Sequence, residues 1–371
     1  MTSAPSFPLL ISAVQLQSLQ ASGRPLMVFD CSFDLAQPSA GMAQYQEAHI
    51  PGALYADLDQ HLSARPGDPA ASGGRHPLPS REAFAAWLRS VGFNNAMQAV
   101  VYDRQGVNYC GRLWWMLKWA GHEAVAVLDG GLPVWQAAGG AVQSGGGPVP
   151  TAPGDFALQT PLRRLVSVDT VQAQLGSAAQ TIVDARAPAR FRGEVEPLDP
   201  VAGHIPGALN RPFSDNIALD ARFKPAELLK AEFDALLAGR DPASVVHQCG
   251  SGVSAVPNLI AMEVAGFAPT ALFAGSWSHG AVTPAARVPK EPEKRCEGRA
   301  GAKDRSRQEW GVSAPLFPRQ TLAAWAMMRS VLPIALKLIA RPAVKGQGWG
   351  QKHCLFQPFS VSSYGYSSTT K

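Results

Sequence analysis

The 371-residue sequence has few cysteines and no long apolar run. Its five cysteines are widely spaced and odd in number, which excludes a disulfide scaffold. It has neither a Cys-x-x-Cys nor a His-Glu-x-x-His motif, so no zinc site is indicated and we expect no metal. No stretch reaches 18 apolar residues, and the apolar segment 7–14 contains Pro8 and follows residues without Lys or Arg. We therefore expect a cytoplasmic protein with no membrane span and no targeting peptide.

Charge of either sign is also sparse, and it is unevenly distributed. Residues 279–371 carry 15 Lys and Arg against 5 Asp and Glu, a net charge of +10, whereas the first 278 residues have a net charge of −5. A mildly acidic body gives no indication of a nucleic-acid partner, and we expect none.

The chain repeats itself at an interval of 155 residues. Ala48-His-Ile-Pro-Gly-Ala-Leu54 returns as Gly203-His-Ile-Pro-Gly-Ala-Leu209. An apolar segment ending in Asp precedes each copy, at residues 26–30 and 181–184. Further short apolar segments follow each copy, separated by segments of helix length. This pattern is typical of parallel strands that are buried on both faces.

The repeat predicts an α/β fold class with two tandem domains, each a mostly parallel sheet flanked by helices. A segment rich in Gly and Pro separates the copies and predicts a linker. The predicted parts are a first domain at residues 8–138, a linker at 139–154, a second domain at 155–278 and an atypical tail at 279–371.

The two copies differ where the second predicted strand ends. The second copy has Cys249-Gly-Ser-Gly-Val-Ser-Ala255 there, and the first copy has no cysteine at the equivalent position. Gly250 and Gly252 allow the backbone to curl with its N–H groups inward, and a helix predicted to start near Ser254 directs its positive end at the sulfur. Hydroxyl groups of Ser251 and Ser254 can also donate to an anion. Because each effect favours a thiolate, Cys249 is predicted to be a nucleophile rather than a small core residue.

These motifs resemble the rhodanese superfamily, and specifically its two-domain sulfurtransferases of the 3-mercaptopyruvate branch. The resemblance covers residues 8–278 and implies two similar α/β domains with catalysis in the second. The motifs that carry it are Tyr45-x-x-x-His49-Ile-Pro-Gly-Ala53, His204-Ile-Pro-Gly-Ala208, Leu128-Asp-Gly-Gly131, Asp184-Ala-Arg-Ala-Pro-Ala-Arg-Phe-Arg-Gly193 and the Cys249 motif.

The resemblance implies a sulfurtransferase. Cys249 would take sulfur from a small-molecule donor, 3-mercaptopyruvate or thiosulfate, and hold it as a persulfide. The persulfide would pass the sulfur to cyanide or to a thiol, with thioredoxin as a possible protein acceptor. No cofactor is implied, because the protein itself carries the sulfur.

The resemblance also assigns roles to individual residues. Arg190 would bind the anionic group of the donor, a role suited to a planar guanidinium. Ser251, Asp59 and His76 would handle protons together with the cysteine. The backbone ring around the sulfur would come from Gly250, Gly252, Val253 and Ser254. The residues alone also fit a surface ion pair for Arg190, a helix cap for Asp59 and a plain turn for His76.

The residues after the cysteine bear on the choice of donor. Gly250 and Ser251 are neutral, whereas rhodaneses that prefer thiosulfate resemble one another in carrying Arg and Lys at these positions. Neutral residues suit the uncharged thiol end of 3-mercaptopyruvate. A second arginine that is frequent in this branch is replaced by Leu198, and Arg192 or Arg211 are candidate substitutes. We therefore expect some activity with thiosulfate.

Other prominent residues are predicted to be structural. His49 and His204 belong to turns and are expected to bond to the backbone. The Trp114-Trp115-Met116 cluster has the spacing of a helix in the core of the first domain. Cys31 and Cys110 lack a glycine-rich loop and are expected to be unreactive.

Two other functions remain as alternatives. A phosphatase of the related single-domain fold requires Cys-x5-Arg, but Ala255 occupies the arginine position, which disfavours this function. The chain could instead be a sulfur-carrying or binding module whose catalysis is impaired by an altered C-terminus. The resemblance stops at Ser278, where family members usually continue with Glu-Trp. The tail is then either the product of a reading-frame shift, which we favour, or a basic appendage with an amphipathic helix at residues 321–340.

Overall fold

The computed structural model describes residues 6–149 and 151–280. Within these ranges ten strands form two five-stranded sheets, and helices connect the strands. The strands are β1 (Leu10–Ile11), β2 (Leu26–Asp30), β3 (Leu54–Tyr55), β4 (Gln98–Tyr102), β5 (Val125–Leu128), β6 (Arg164–Leu165), β7 (Thr181–Asp184), β8 (Leu209–Asn210), β9 (Val245–Gln248) and β10 (Ala271–Leu272).

The helices occupy equivalent places in the two halves of the chain. Short 3-10 helices lie at Phe213–Asn216 and Pro242–Ser244. The α-helices are α1 (Ala13–Ala21), α2 (Ser39–Glu47), α3 (Arg81–Ser90), α4 (Cys110–Trp119), α5 (Gly131–Ala137), α6 (Val168–Ala173), α7 (Pro188–Phe191), α8 (Ala226–Leu237), α9 (Val256–Val264) and α10 (Ser276–Gly280).

Both sheets are parallel and share one strand order. The first sheet runs β1-β5-β4-β2-β3 and the second runs β6-β10-β9-β7-β8. The central strands β4 and β9 are buried along their whole length, as expected for strands covered on both faces. The predicted pair of α/β domains is therefore confirmed. The strands lie within residues 10–128 and 164–272, which supports the domain ranges 8–138 and 155–278 that we propose.

The register of the two sheets identifies equivalent positions. Tyr102 lies opposite Asp30 in the first sheet, and Gln248 lies opposite Asp184 in the second. The next residue along each strand is Asp103 in the first domain and Cys249 in the second. An aspartate therefore stands where the second domain has its cysteine.

The hydrophobic core is continuous between the two domains. Trp114 and Trp115 of α4 are fully buried, which confirms their predicted place in the core. The same cluster of buried side chains contains Val256 and Leu259 of α9 in the second domain. At Gly111 a Cβ would approach Val256 to 3.2 Å, so the two helices pack closely. This packing holds the start of α9, and the loop before it, against the first domain.

The residues predicted to be structural are confirmed as such. His49 Nδ1 lies 2.8 Å from the carbonyl oxygen of Tyr45, and His204 Nδ1 lies 2.7 Å from that of Phe191. Burial raises the pKa of the Cys110 thiol well above its usual range, and also that of the second cysteine of the first domain, Cys31. Their burial and raised pKa agree with the prediction that neither thiol is a nucleophile.

The end of the described chain is α10, which includes the first two residues of the predicted tail. Both hypotheses about the tail, including the helix at residues 321–340, concern residues outside the described ranges. None of the helices in the described ranges combines the length and the apolar character that a bilayer crossing requires.

Candidate active site

Cys249 follows directly after β9 and is held through its backbone. Its N–H group donates to the Ser276 hydroxyl at 3.1 Å, and that hydroxyl donates to the carbonyl oxygen of Phe273 at 2.9 Å. Ser276 has a φ of +54°, a conformation that residues other than glycine rarely adopt. This conformation places the Ser276 side chain at the end of β9. The carbonyl oxygen of Cys249 accepts from the N–H of Trp277 at 3.0 Å. Cys249 is only 2% exposed, so access to the sulfur is narrow.

The two glycines of the loop have different functions. Gly252 has a φ of +74°, and a Cβ there would lie 2.2 Å from the carbonyl oxygen of Ala274, so the turn requires glycine. Gly250 leaves room beside the cysteine, because a Cβ there would lie 3.1 Å from Nη2 of Arg75 and 3.6 Å from Nη1 of Arg190. Two guanidinium groups therefore face the residue next to Cys249.

The helix after the loop begins later than the sequence predicts. It starts at Val256, two residues after Ser254. Its capping residue is Ala255, which makes no side-chain hydrogen bond. Pro257 lies in its first turn, as predicted, where its missing N–H group is not needed.

The equivalent loop of the first domain shows which way such a loop directs its amides. The Asp103 carboxylate accepts four backbone N–H groups, at distances between 2.9 and 3.1 Å. Their donors are Gln105, Val107, Tyr109 and Cys110. Gly106 has a φ of +66°, close to that of its equivalent Gly252. In the first domain the loop thus directs its N–H groups at the side chain that stands where the second domain has Cys249. In the second domain the N–H of Val256 donates to the carbonyl oxygen of Val253, and the backbone ring around the sulfur stays a prediction.

The structure brings Ser251, His76 and Asp59 together across the domain interface. His76 Nδ1 lies 2.7 Å from the Ser251 hydroxyl oxygen, and Nε2 lies 3.5 Å from Oδ1 of Asp59. Burial, together with the nearby charges of Arg112 and Arg75, lowers the pKa of His76 to about 3. His76 is therefore neutral at pH 7, and Nδ1 can accept the Ser251 proton when Nε2 carries the hydrogen that faces Asp59. Burial raises the pKa of Asp59, which is more exposed than the other two.

Arg190 is a largely buried residue that pairs with carboxylates. Its Nη2 atom donates to Glu196 at 2.7 Å and to Asp199 at 3.1 Å. Its side chain is 18% exposed, and its Nη1 and Nη2 atoms would lie 3.6 and 3.7 Å from a Cβ at Gly250. Arg190 thus forms ion pairs while it is largely buried, and its place beside the cysteine loop is compatible with binding of the donor's anionic group, which stays a prediction.

Arg75 is the arginine that the sequence analysis missed. Its Nη1 atom donates to Asp199 at 2.7 Å, and its Nη2 atom is the guanidinium nitrogen closest to a Cβ at Gly250. The candidate substitutes are engaged elsewhere, since Arg192 pairs with Glu194 and Arg211 pairs with Glu232. The position of Arg75 directly before His76 was the only signal in the sequence. Its contacts with Gly250 and Asp199 depend on the packing of the two domains.

Arg112 of α4 was also missed, and it joins the first domain to the cysteine loop. It is fully buried, and its guanidinium donates to the carbonyl oxygens of Gly252 at 3.1 Å and His76 at 2.9 Å. It also donates to the carbonyl oxygen of Leu62. Burial lowers the pKa of Arg112 to about 10, and the facing Cys249 opposes that shift. Arg112 therefore remains protonated at pH 7 and directs a positive charge toward the site.

Comparison with known proteins agrees with this geometry. The family model "Rhodanese-like domain" matches residues 12–138 and 167–280. The chain is 47% identical over 278 residues to the "Probable 3-mercaptopyruvate sulfurtransferase" of Pseudomonas aeruginosa, covering 74% of this chain and 95% of that protein. It is 34% identical over 263 residues to human 3-mercaptopyruvate sulfurtransferase, covering 69% and 85%.

Among solved structures, the chain is similar to SseA from Escherichia coli, described as a 3-mercaptopyruvate sulfotransferase. The TM-score is 0.60 with 30% sequence identity, and the match covers 72% of this chain and 98% of that one. The chain therefore belongs to the rhodanese family, as a tandem two-domain sulfurtransferase.

Proposed function

We propose that the protein transfers the sulfur of 3-mercaptopyruvate to a thiol or to cyanide through a persulfide on Cys249. The observation that carries this proposal is the set of groups around the cysteine loop. Two guanidinium groups lie beside Gly250, and the Ser251 hydroxyl contacts a neutral His76. The site thus offers an anion-binding pair, a proton acceptor and a nucleophile.

In the first step the Cys249 thiolate attacks the thiol sulfur of the donor. The new S–S bond forms as the bond between that sulfur and C3 breaks, and the electron pair passes to C3 as the enolate of pyruvate. Ser251 and neutral His76 accept the thiol proton of the donor and return it to C3. The products are pyruvate and the persulfide anion, so atoms and charge balance.

In the second step the persulfide anion first takes up a proton from solvent. An acceptor thiolate then attacks the outer sulfur, which becomes the persulfide of the acceptor, and the Cys249 thiolate leaves. Cyanide can take the same sulfur to give thiocyanate. We propose a small thiol or a dithiol protein of the thioredoxin type as the cellular acceptor, and the cytoplasm as the location. A reducing compartment supports this proposal, because it keeps both Cys249 and an acceptor thiol reduced.

The donor preference follows from charge. The residues directly after the cysteine, Gly250 and Ser251, add no cation, so the positive charge beside Gly250 comes from Arg75 and Arg190, in addition to the buried Arg112. These two groups are suited to the single carboxylate of 3-mercaptopyruvate, while its neutral thiol lies against the cysteine loop. We propose thiosulfate as a weaker second donor.

The test compares Cys249→Ser with Cys110→Ser, which alters a buried thiol away from the loop. Both proteins and the wild type are assayed with 3-mercaptopyruvate and thiosulfate, and intact mass is measured after donor treatment. We expect wild type and Cys110→Ser to gain one sulfur atom and to turn over, and Cys249→Ser to do neither. Undiminished turnover in Cys249→Ser would eliminate the persulfide mechanism. An intact wild-type persulfide without turnover would instead identify a sulfur carrier.

A further inference from the structure

Asp199 lies between the two guanidinium groups of the proposed donor site. Its Oδ1 atom accepts from Arg75 at 2.7 Å and its Oδ2 atom accepts from Arg190 at 3.1 Å. Its side chain is only 3% exposed. A buried carboxylate that bridges two cations is a strongly bound internal anion rather than a solvated surface charge.

The carboxylates also hold both guanidinium groups in place beside the cysteine loop. Glu196 accepts from Nε and Nη2 of Arg190, and Asp199 accepts from Nη2 of Arg190 and Nη1 of Arg75. The Arg75 nitrogen closest to Gly250 is Nη2, which is not the one that binds Asp199, whereas Nη1 and Nη2 of Arg190 would lie 3.6 and 3.7 Å from a Cβ at Gly250. The carboxylates therefore fix both guanidinium groups beside the donor position.

The charges of this cluster are balanced before any donor arrives. Arg75, Arg186 and Arg190 contribute three positive charges, and Asp184, Glu196 and Asp199 contribute three negative charges. The carboxylates of the site repel the one negative charge of a monocarboxylate donor, whereas they repel both negative charges of the thiosulfate dianion. Because the site is largely buried, this difference is only weakly screened by salt.

We propose that Asp199 is a specificity-determining residue that disfavours dianionic donors relative to monoanionic ones. It occupies one anion position between Arg75 and Arg190 and leaves them positioned for a single further carboxylate. The proposal rests on the function proposed above and adds the residue that sets the donor charge.

The experiment is the isosteric change Asp199→Asn, which keeps a hydrogen-bond acceptor and removes one negative charge. The matched control is Glu194→Gln in the same segment, where Glu194 pairs with the exposed Arg192. The ratio of kcat/KM for thiosulfate to kcat/KM for 3-mercaptopyruvate is measured at constant ionic strength. We expect Asp199→Asn to raise this ratio by about tenfold, as one unit charge a few ångströms away would do in a partly screened site, and Glu194→Gln to leave it unchanged. A rise below about threefold, or a shift toward 3-mercaptopyruvate, overturns the proposal.

A second measurement does not depend on turnover. Sulfate and pyruvate are compared as protecting ligands while iodoacetamide alkylates Cys249, with the modified residue identified by mass spectrometry. We expect sulfate to protect Asp199→Asn at about tenfold lower concentration than it protects the wild type, with pyruvate changed much less. Equal protection of both proteins by sulfate overturns the proposal, even where the variant is inactive. A wild type that turns over neither donor refutes the proposed function instead, so the two failures are distinguishable.

Discussion

Replacing Arg112 with methionine tests whether the first domain holds the cysteine loop in place. Methionine has a similar length and fits an apolar site, but it has no N–H groups. The change removes the donors to three buried carbonyl oxygens, those of Leu62, His76 and Gly252. Two of these carbonyls belong to segments that carry proposed catalytic residues.

The magnitude follows from these three carbonyls. A buried acceptor that loses its partner costs about 1–3 kcal/mol, and the apolar contacts of methionine recover part of the loss. We therefore expect Arg112→Met to lower the free energy of unfolding by about 3–5 kcal/mol. Arg112→Lys keeps the charge and one donor nitrogen on a shorter side chain, so the free energy of unfolding should fall by about half as much.

The assay is urea unfolding of the full chain at pH 7.5, followed by tryptophan fluorescence and circular dichroism, together with kcat/KM for 3-mercaptopyruvate. We expect kcat/KM to fall at least about tenfold in Arg112→Met, because the Gly252 turn and the His76 segment lose a shared donor. A free energy of unfolding within about 1 kcal/mol of the wild type would refute the reasoning. So would full activity in a clearly destabilised variant.

Three other predictions follow from the same site. Ser251→Ala should lower kcat with 3-mercaptopyruvate by about 100-fold and affect thiosulfate far less, because only the first donor brings a thiol proton; equal losses with both donors would contradict the relay. Burial lowers the pKa of His247 to about 3, as for His76, so the unfolded chain binds protons that the native state does not, and stability falls as the pH drops from about 6.5 toward 3. His247→Leu should reduce that loss between pH 6.5 and 5 by about 1–2 kcal/mol in urea unfolding, and an unchanged pH dependence would exclude this cause. Gly252→Ala should destabilise by about 1–3 kcal/mol through its left-handed φ, whereas Gly250→Ala should leave stability nearly unchanged and raise KM, since its Cβ meets only arginine side-chain ends; the reverse order of stabilities would argue against this geometry.

Local features of the chain were predictable because they depend on residues close in sequence. β2 and β7 coincide with the apolar segments read from the sequence, and the turn at Gly252 follows from its neighbours. The cysteine loop was found because the two copies diverge where the second predicted strand ends.

The residues that were missed act over long sequence distances. Arg112 is 140 residues from Gly252, and Arg75 is 124 residues from Asp199, so no local pattern connects either pair. The predicted helix start near Ser254 is two residues before the observed start at Val256, a difference that is ordinary for helix ends. Interface contacts of this kind require the packing of α4 on α9, which only the folded chain provides.

The Asp103 carboxylate in the first domain bears on how the two halves of the molecule diverged. Four backbone N–H groups donate to it, so the Asp103 carboxylate itself fills that loop. The second domain also has a left-handed glycine in its turn, Gly252, and in the proposed mechanism its cysteine gains and releases a sulfur atom in every cycle. Under that proposal, the residue at one strand end distinguishes the catalytic domain from the domain that supports it.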